Sequence, residues 1–457
     1  MAIMKNLVYI FLVEYFKFWA KIRLFFWRPT IIGFTGSMGK TSFLYILDSI
    51  FTAANLDHKS SFKANSEIGL PLNILNLPAP SSPFVWLKNL SLAPLKIIPF
   101  QKPNFYLAEM AIDSTRYPKN MDFLLSIFVP DIAVGLDVAL MHSLQINQET
   151  GFNNEDQILS TIAFHKAKLL TATLKKGGWV IYNHDNSYLT TQIQSFLALN
   201  PQYQPKTLSV SLTNPQSDIY VQTQLKNQTF IVQFTYTNQN YTFTVPHLAL
   251  FPEYGRLIAS AAVIALKHHV TPAQIQQGLH NLKLPGRFSV FEGIKNTIIL
   301  DSSYNAPYQA MVKMINHFYH LFPSHPKILV LGEMRELGPL STQKHQELAQ
   351  MVAKLDFKHL FVVGDQMKKV FLPFLLKINH KLKNHVTHFD SSQKLGRHLV
   401  NFIKGGEAIF VKGSQNTIFL EEAIKPLLKN RSDIKYLVRQ SPDWIKRKKR
   451  FFVTLDP

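Results

Sequence analysis

The chain has 457 residues, of which 46% are hydrophobic, with 49 Lys and Arg against 29 Asp and Glu and no cysteine. That apolar share excludes a disordered chain, the length suggests about three domains, and the missing cysteine excludes disulfides, thiolate metal sites and a cysteine nucleophile. The net charge of +20 suits an anionic partner, nucleic acid or lipid, and on charge alone it suits a solvated basic surface equally.

The segment Leu7 to Trp27, LVYIFLVEYFKFWAKIRLFFW, is apolar and aromatic but carries Glu14, Lys17, Lys21 and Arg23. A membrane span needs roughly twenty apolar residues with few charges, and a signal peptide needs a short apolar core and a small-residue cleavage site. Neither pattern is met. Two readings fit: a helix lying in the membrane interface, which accepts aromatics flanked by Lys and Arg, or a plain helix packed on the globular body. The other end carries a second basic and aromatic run, Lys446 to Arg450 beside Trp444 and Phe451.

GFTGSMGKTS, Gly33 to Ser42, follows a short apolar strand at Thr30 to Phe34 and precedes a helical pattern of Phe43, Leu44, Leu47 and Ile50. The general phosphate-loop rule wants a glycine six residues before the lysine, and Phe34 stands there. The context of strand, glycine-rich turn and helix is nevertheless the one in which backbone N–H groups and a helix N-terminus face an anion. In that geometry Thr35, Gly36, Ser37, Gly39 and Lys40 surround the phosphates, Ser42 sits in the first helical turn, and the Thr41 hydroxyl holds Mg²⁺.

Further along, FYLAEMA (Phe105 to Ala111), DIAVGLDV (Asp131 to Val138) and GGWVIYNHD (Gly177 to Asp185) read as strands with helical patterns between them. That is the pattern of a parallel sheet covered on both faces. From Thr207 to Pro246 the period becomes two, which predicts an antiparallel meander. Helices return at Tyr254 to His269 and Pro272 to Leu282, and Pro285-Gly286 marks a domain boundary. A second α/β unit follows. The predicted organisation is an α/β chain: a basic aromatic helix over 1–30, a central parallel-sheet ATPase domain with a β meander over 31–283, a Rossmann-like C-terminal domain over 284–430, and a basic tail over 431–457.

Ligands in open α/β sheets bind beyond the carboxyl ends of the strands. Glu109 ends one strand there and His142 lies just beyond another, so with Thr41 they are candidate Mg²⁺ ligands, the carboxylate being the donor a hard cation prefers.

The loop and the order of motifs after it resemble the Mur ligase family, most closely its D-alanyl-D-alanine-adding branch. The family loop reads TGxxGKT, with its first glycine where Gly36 stands. The resemblance continues through NSEIGLPL (Asn65 to Leu72), YLAEMA, FHKAKLL (Phe164 to Leu170), YNHDN (Tyr182 to Asn186), LPGRF, LDSSYNAP (Leu300 to Pro307), LGEMRELG (Leu331 to Gly338) and FVKGS (Phe410 to Ser414). It implies an ATP-dependent ligase that joins an amine to a carboxylate through an acyl phosphate, with ATP and Mg²⁺ as cofactors.

By motif position the resemblance implies that Lys40 and Thr41 hold the triphosphate and Mg²⁺, and that Glu109 and His142 are metal ligands. It makes Lys166 a lysine carried as a carbamate, a further metal ligand; the residue-level alternative is a lysine on an exposed helix. Arg287, Asp301 and Asn305 are implied to serve the nucleotide, Asn65, Ser66 and Glu67 the carboxylate substrate, and Glu333, Arg335 and Lys412 the amine. Lys40, Lys166 and His142 are the implied catalytic groups. His345 fits packing or capping better than catalysis.

The chain departs from the family in two places. Met38 stands where Asn is usual, and YGRLIASAA offers Arg256, Leu257 and Ser260 on the helix that faces adenine. Only about thirty residues precede the loop, where family members have a sugar-nucleotide domain, so either the sugar nucleotide is held differently or the acceptor is another carboxylate, lipid-linked or not a muropeptide; the substrate expected is a small-molecule or lipid-linked muropeptide-like one. The location expected is cytoplasmic, peripheral at the inner face of an anionic membrane. Two other classes stay open on the residues alone: a basic ATPase acting on nucleic acid, for which no recognition module is found in the body of the chain, and a binding relative without turnover.

Overall fold

The computed structural model describes residues 2–80, 82–98, 100–112, 114–139, 149, 151–152, 154–226, 229–335, 337–414 and 417–455. The chain divides into two units. The first comprises Met1–Gln224, Ile231–Val245 and Phe251–Leu282; the second takes Leu225–Phe230, Pro246–Leu250 and Lys283–Pro457.

The first sheet contains β1 (Thr30–Thr35), β2 (His58–Ser60), β3 (Phe105–Glu109), β4 (Ile132–Gly135), β5 (Trp179–Asn183), β6 (Thr207–Ser211), β7 (Ile219–Lys226), β8 (Thr229–Tyr236) and β9 (Gln239–Pro246). Their order is β2-β3-β1-β4-β5-β6-β7-β8-β9. β1, β3 and β4 are buried along almost their whole length, which is why their sequences are unbroken apolar runs rather than alternating ones. β1 pairs in parallel with β3 on one side and β4 on the other, with Phe34 opposite Glu109 and Thr35 opposite Gly135. After β1 the chain passes to β2 and β3 and then crosses to β4 and β5. The strand order therefore reverses at β1, where open α/β sheets bind ligands.

The predicted meander is corrected at its first strand. β6 is parallel to β5 and to β7, so it extends the central sheet instead of opening the meander. Its residues alternate like an antiparallel edge, and period two by itself does not carry strand direction. β8 and β9 are neighbours joined through Thr237 and Asn238, both at positive φ, the primed turn that a two-residue hairpin needs.

The helix Ala2–Trp27 buries Val13, Phe16, Ala20 and Trp27 in the same apolar cluster as Tyr106, Ala108 and Leu170. Of the two readings of this segment, packing on the globular body therefore describes its inward face. No helix among the described residues is long and apolar enough to cross a membrane.

The second unit holds β10 (Ser289–Glu292), β11 (Ile298–Asp301), β12 (Lys327–Gly332), β13 (His359–Val363), β14 (Val386–Phe389) and β15 (Ala408–Lys412), in the order β10-β11-β15-β12-β13-β14. All neighbours are parallel except β10, which is antiparallel to β11. The basic segment beyond residue 430 folds onto this unit. In its last helix, Pro442–Leu455, Phe452 is buried, and Lys448, also buried, pairs with Glu421 at 3.2 Å and Glu422 at 2.5 Å.

Candidate active site

In the first unit the loop between β1 and the helix Lys40–Ala53 is shaped by two glycines. A Cβ on Gly36 would lie 2.9 Å from Leu136 Cβ and 3.0 Å from the Asp137 nitrogen, and Gly39 has φ +82 immediately before the helix starts. Side chains are excluded from the first position by contact and disfavoured at the second by the left-handed backbone. The loop is tied to the β4 side by the Ser37 N–H donating to Asp137 O at 2.6 Å and by the Ala139 N–H donating to Ser37 Oγ at 3.0 Å.

Lys40 Nζ lies across this loop, donating to Gly36 O at 2.6 Å and Ser37 O at 3.2 Å. Thr35 ends β1 fully buried, and its Oγ1 has no hydrogen-bond partner. A glycine cradle, a lysine folded over it and an unspent hydroxyl at its base fit a triphosphate, whose oxygens satisfy N–H, ammonium and hydroxyl donors together.

At the end of β3, Glu109 is buried. Its Oε1 faces Thr41 Oγ1 at 3.4 Å and accepts from Asn65 Nδ2 at 3.0 Å, while its N–H donates to Ser61 Oγ at 2.8 Å. The structure thus brings Thr41, Glu109 and Asn65 together, and sequence reading did not find Ser61. Hydroxyl, carboxylate and amide oxygens are hard donors suited to Mg²⁺. Among the described residues no group of three His, Asp or Glu side chains converges as a metal cluster. His142 lies outside the described residues. Lys166 sits on the helix Glu155–Lys176 and is only 4% exposed, which removes the exposed-helix reading of this lysine.

Ser66 Oγ accepts the Gly69 N–H at 3.2 Å, just ahead of the helix Gly69–Ile74. Glu67 accepts a hydrogen bond from the Tyr9 hydroxyl on the N-terminal helix. Burial first, and the Glu67 carboxylate second, push the Tyr9 phenol far up, so it stays a donor. Ser42 Oγ and Tyr254 OH are 3.0 Å apart.

The residues that stand where the resemblance places adenine recognition are paired or buried within this unit. Arg256 pairs with Asp185 at 2.5 Å, Leu257 packs under Gly39, and Ser260 is buried. Burial alone would raise the Asp185 carboxyl, but hydrogen bonds from Ser211, the Leu212 N–H and Thr213, with the Arg256 charge, hold it below its ordinary range. Burial raises Asp137 against the opposing Arg256 charge, and Asn186 holds its Oδ1 at 2.7 Å. Asp137 and Asn186 brace the loop and were not singled out in the sequence.

A cavity of 710 Å³ opens at the opposite end of this sheet, where β1, β4 and β5 start, lined by Thr30, Asp131, Trp179, Lys267 and His268 among others. It is not the nucleotide site, because ligands of such sheets bind beyond the carboxyl ends of the strands.

In the second unit Lys412 ends β15 buried, donating to Asn305 O at 2.8 Å and Ser302 Oγ at 3.2 Å. Burial, then the Arg287 charge, pushes its ammonium down to about 7. Asp301 ends β11; burial pushes its carboxyl up to about 6, its Oδ1 accepts the Ser303 N–H at 2.9 Å, and its Oδ2 has no partner. Arg287 stacks over the Tyr304 ring at 4.2 Å. Asp301, Asn305, Arg287 and Lys412 are therefore one neighbourhood with unspent polar capacity.

Glu333 forms a second neighbourhood, receiving Arg335 Nε at 3.1 Å and the Gln366 N–H at 3.1 Å, with the Arg335 N–H on Ser414 Oγ at 2.9 Å. His345 is fully buried, accepting the Met334 N–H at Nε2 and contacting Ser341 O through Nδ1. Burial lowers its pKa. Both nitrogens are used, so His345 is a packing residue that supports this turn.

The model of the Mur ligase glutamate ligase domain matches residues 286–415. That stretch is a Mur ligase domain. It carries both neighbourhoods of the second unit. Over 402 residues the chain is 25% identical to the UDP-N-acetylmuramoyl-tripeptide--D-alanyl-D-alanine ligase of Bacillus subtilis, covering 88% of this chain and 76% of that one. Its fold is similar to that of MurF from Acinetobacter baumannii, with TM-score 0.68 and 17% identity over 93% of this chain and 80% of the other. It is also similar to MurF ligase from Thermotoga maritima, solved in complex with ADP, with TM-score 0.60 and 20% identity over 96% and 84%. The Mur ligase resemblance thus extends beyond the matched domain into the unit that carries the phosphate loop.

Proposed function

We propose that this chain is an ATP-dependent ligase that joins the amine of a dipeptide resembling D-alanyl-D-alanine to the carboxylate of a peptidoglycan-precursor-like acceptor. The observation that carries the reading is the Gly36–Lys40 cradle with Thr41, Asn65 and Glu109 gathered beside it, in a chain whose curated relatives are ligases of that kind.

In this reading an oxygen of the acceptor carboxylate takes the γ-phosphoryl group of ATP, releasing ADP and leaving an acyl phosphate. The amine attacks the acyl carbon, gives up a proton, and inorganic phosphate departs as the amide forms. Lys40 and the loop N–H groups hold and neutralise the phosphates, work that is mostly positioning and electrostatics. Mg²⁺ supplies further charge neutralisation, and Thr41 and Glu109 are the groups that would hold it, with His142 and a carbamylated Lys166 as the resemblance assigns. Asn65, Ser66 and Glu67 position the acceptor.

On the second unit Arg287, Asp301 and Asn305 serve the nucleotide, and Glu333, Arg335 and Lys412 the amine. Lys412 suits the amine because a lysine held near 7 can exchange a proton at neutral pH. The location belongs to the same proposal: cytoplasmic, at the inner face of an anionic membrane, with a lipid-linked acceptor as the finer alternative to a soluble one.

The test is a coupled assay with ATP, Mg²⁺, D-alanyl-D-alanine and a muramoyl-tripeptide acceptor. Amide product formed with stoichiometric phosphate supports the proposal. ATP turnover that depends on neither acceptor nor amine removes it.

A further inference from the structure

The helix Ala2–Trp27 has two apolar faces. Val13, Phe16, Ala20 and Trp27, three, four and seven residues apart, are buried in the core. Leu7, Phe11, Phe18 and Phe25 recur on the opposite side and are 55–64% exposed, a spacing that also lines up one face of a helix. A helix with apolar side chains on two opposite faces has one more than a surface helix needs to bury, and this one lies at a surface.

The segment 83–104 runs beside it in the same direction. Tyr15 OH donates to Leu90 O at 2.8 Å, Phe16 packs on Trp86 with ring centroids 6.0 Å apart, Arg23 Nη1 donates to Lys96 O, and Trp27 Nε1 donates to Pro103 O at 2.7 Å. This segment also shows its apolar side chains to solvent: Phe84 is 74% exposed, Leu95 73% and Phe100 97%, with Leu87 and Ile98 both 64%. Such a concentration marks an interaction surface rather than scattered exposure.

The charge of the two segments decides what covers it. Over residues 1–28 and 82–104 the sequence has one acid, Glu14, and that acid is engaged by Lys17 at 2.6 Å and by the Tyr117 hydroxyl. Lys21, Arg28, Lys88 and Lys102 are exposed. An apolar, aromatic face fringed with cations and almost free of acids is complementary to an anionic bilayer interface.

We propose that the outward faces of the helix Ala2–Trp27 and the segment 83–104 form one composite surface that inserts into the interface of an anionic lipid bilayer without crossing it. This deepens the membrane location proposed above and rests on it. In the C-terminal basic run Lys448 is consumed by Glu421 and Glu422, while Lys446, Arg447, Lys449 and Arg450 are exposed. Tyr9, on the inserting helix, is bonded to Glu67, so the residue proposed to meet the acceptor is anchored to the membrane element, as access to a lipid-linked carboxylate requires.

Flotation of the purified full-length chain with phosphatidylcholine vesicles, with and without phosphatidylglycerol, tests this. The wild type is expected to float with the anionic vesicles and to be released by salt. Replacing Phe84, Leu87 and Phe100 together by Ser is expected to weaken binding at least about tenfold, since burial of even one such side chain is worth that factor. These positions are exposed, so the fold is kept.

Wild-type flotation that is absent, or equal on both vesicle types, overturns the proposal, as does a triple variant that floats like the wild type. A wild-type dimer that the triple variant turns into a monomer, with no flotation, would instead assign the face to a second copy. Flotation needs no turnover, so this result and that of the ligation assay fail independently.

Discussion

Thr41 Oγ1 lies 3.4 Å from Glu109 Oε1, the oxygen that also accepts the Asn65 amide. A helix that starts at the phosphate loop and a strand that ends beside it thus meet at one carboxylate, and the pairing of β1 with β3 sets the meeting by placing Phe34 opposite Glu109. Glu109→Gln keeps the shape and removes the charge. The expected outcome is a loss of roughly 100-fold or more in turnover, without a lowered thermal midpoint, and a requirement for more Mg²⁺. An unaltered Mg²⁺ titration would remove Glu109 from the metal site.

Lys40→Ala removes an ammonium that lies over the loop without emptying a core position. Ligation is expected to fall by about three orders of magnitude or more while the far-ultraviolet circular dichroism stays unchanged. Wild-type ligation in this variant would displace the nucleotide from the loop.

Lys166→Ala is expected to lose ligation, and an added short-chain carboxylate is expected to restore part of it if a carbamate supplies metal-binding oxygens. Full activity without addition would leave Lys166 as a buried structural lysine.

Tyr9→Phe deletes the hydroxyl that holds Glu67 and leaves the ring in place. KM for the acceptor is expected to rise about fivefold, the worth of one hydrogen bond near 1 kcal/mol, with KM for ATP unchanged. Equal changes in both would show a general loosening of the unit instead of acceptor positioning.

Stability should depend on pH through Asp301 and Lys412. Asp301 holds its proton up to about 6, above the ordinary carboxyl range, so its contribution is present at acid pH and lost as pH rises through 6. Lys412 gives up its proton near 7, below the ordinary lysine range. The unfolded chain then binds the extra proton, and stability rises with pH from 7 upward. Lys412→Met is expected to flatten that upper limb, while weakening use of the amine. An identical upper limb in the variant would refute the assignment.

Much of this was legible in the sequence because the signals were local. The unbroken apolar runs of β1, β3 and β4 announce a doubly covered parallel sheet, and Gly36 and Gly39 stand where a cradle needs them. What was not legible depends on pairing across long stretches of chain. β6 alternates in period two yet joins β5 and β7 in parallel, because direction is set by the partner strands. Ser61 and Asp137 brace the site from elements far apart in sequence, and nothing in their immediate neighbours marks them. Lys448 reads as one cation in a basic run, although its place on the helix Pro442–Leu455 turns it toward two buried glutamates.

The central claim is ligation, and the most direct measurement is mass spectrometry of the product. Purified chain with ATP, Mg²⁺, D-alanyl-D-alanine and a muramoyl-tripeptide carboxylate is predicted to yield the amide of acceptor and dipeptide, with one ADP and one phosphate per bond, and none of it with Lys40→Ala. ATP hydrolysis stimulated by DNA or RNA, with no amide formed from any carboxylate and amine pair, would contradict the account.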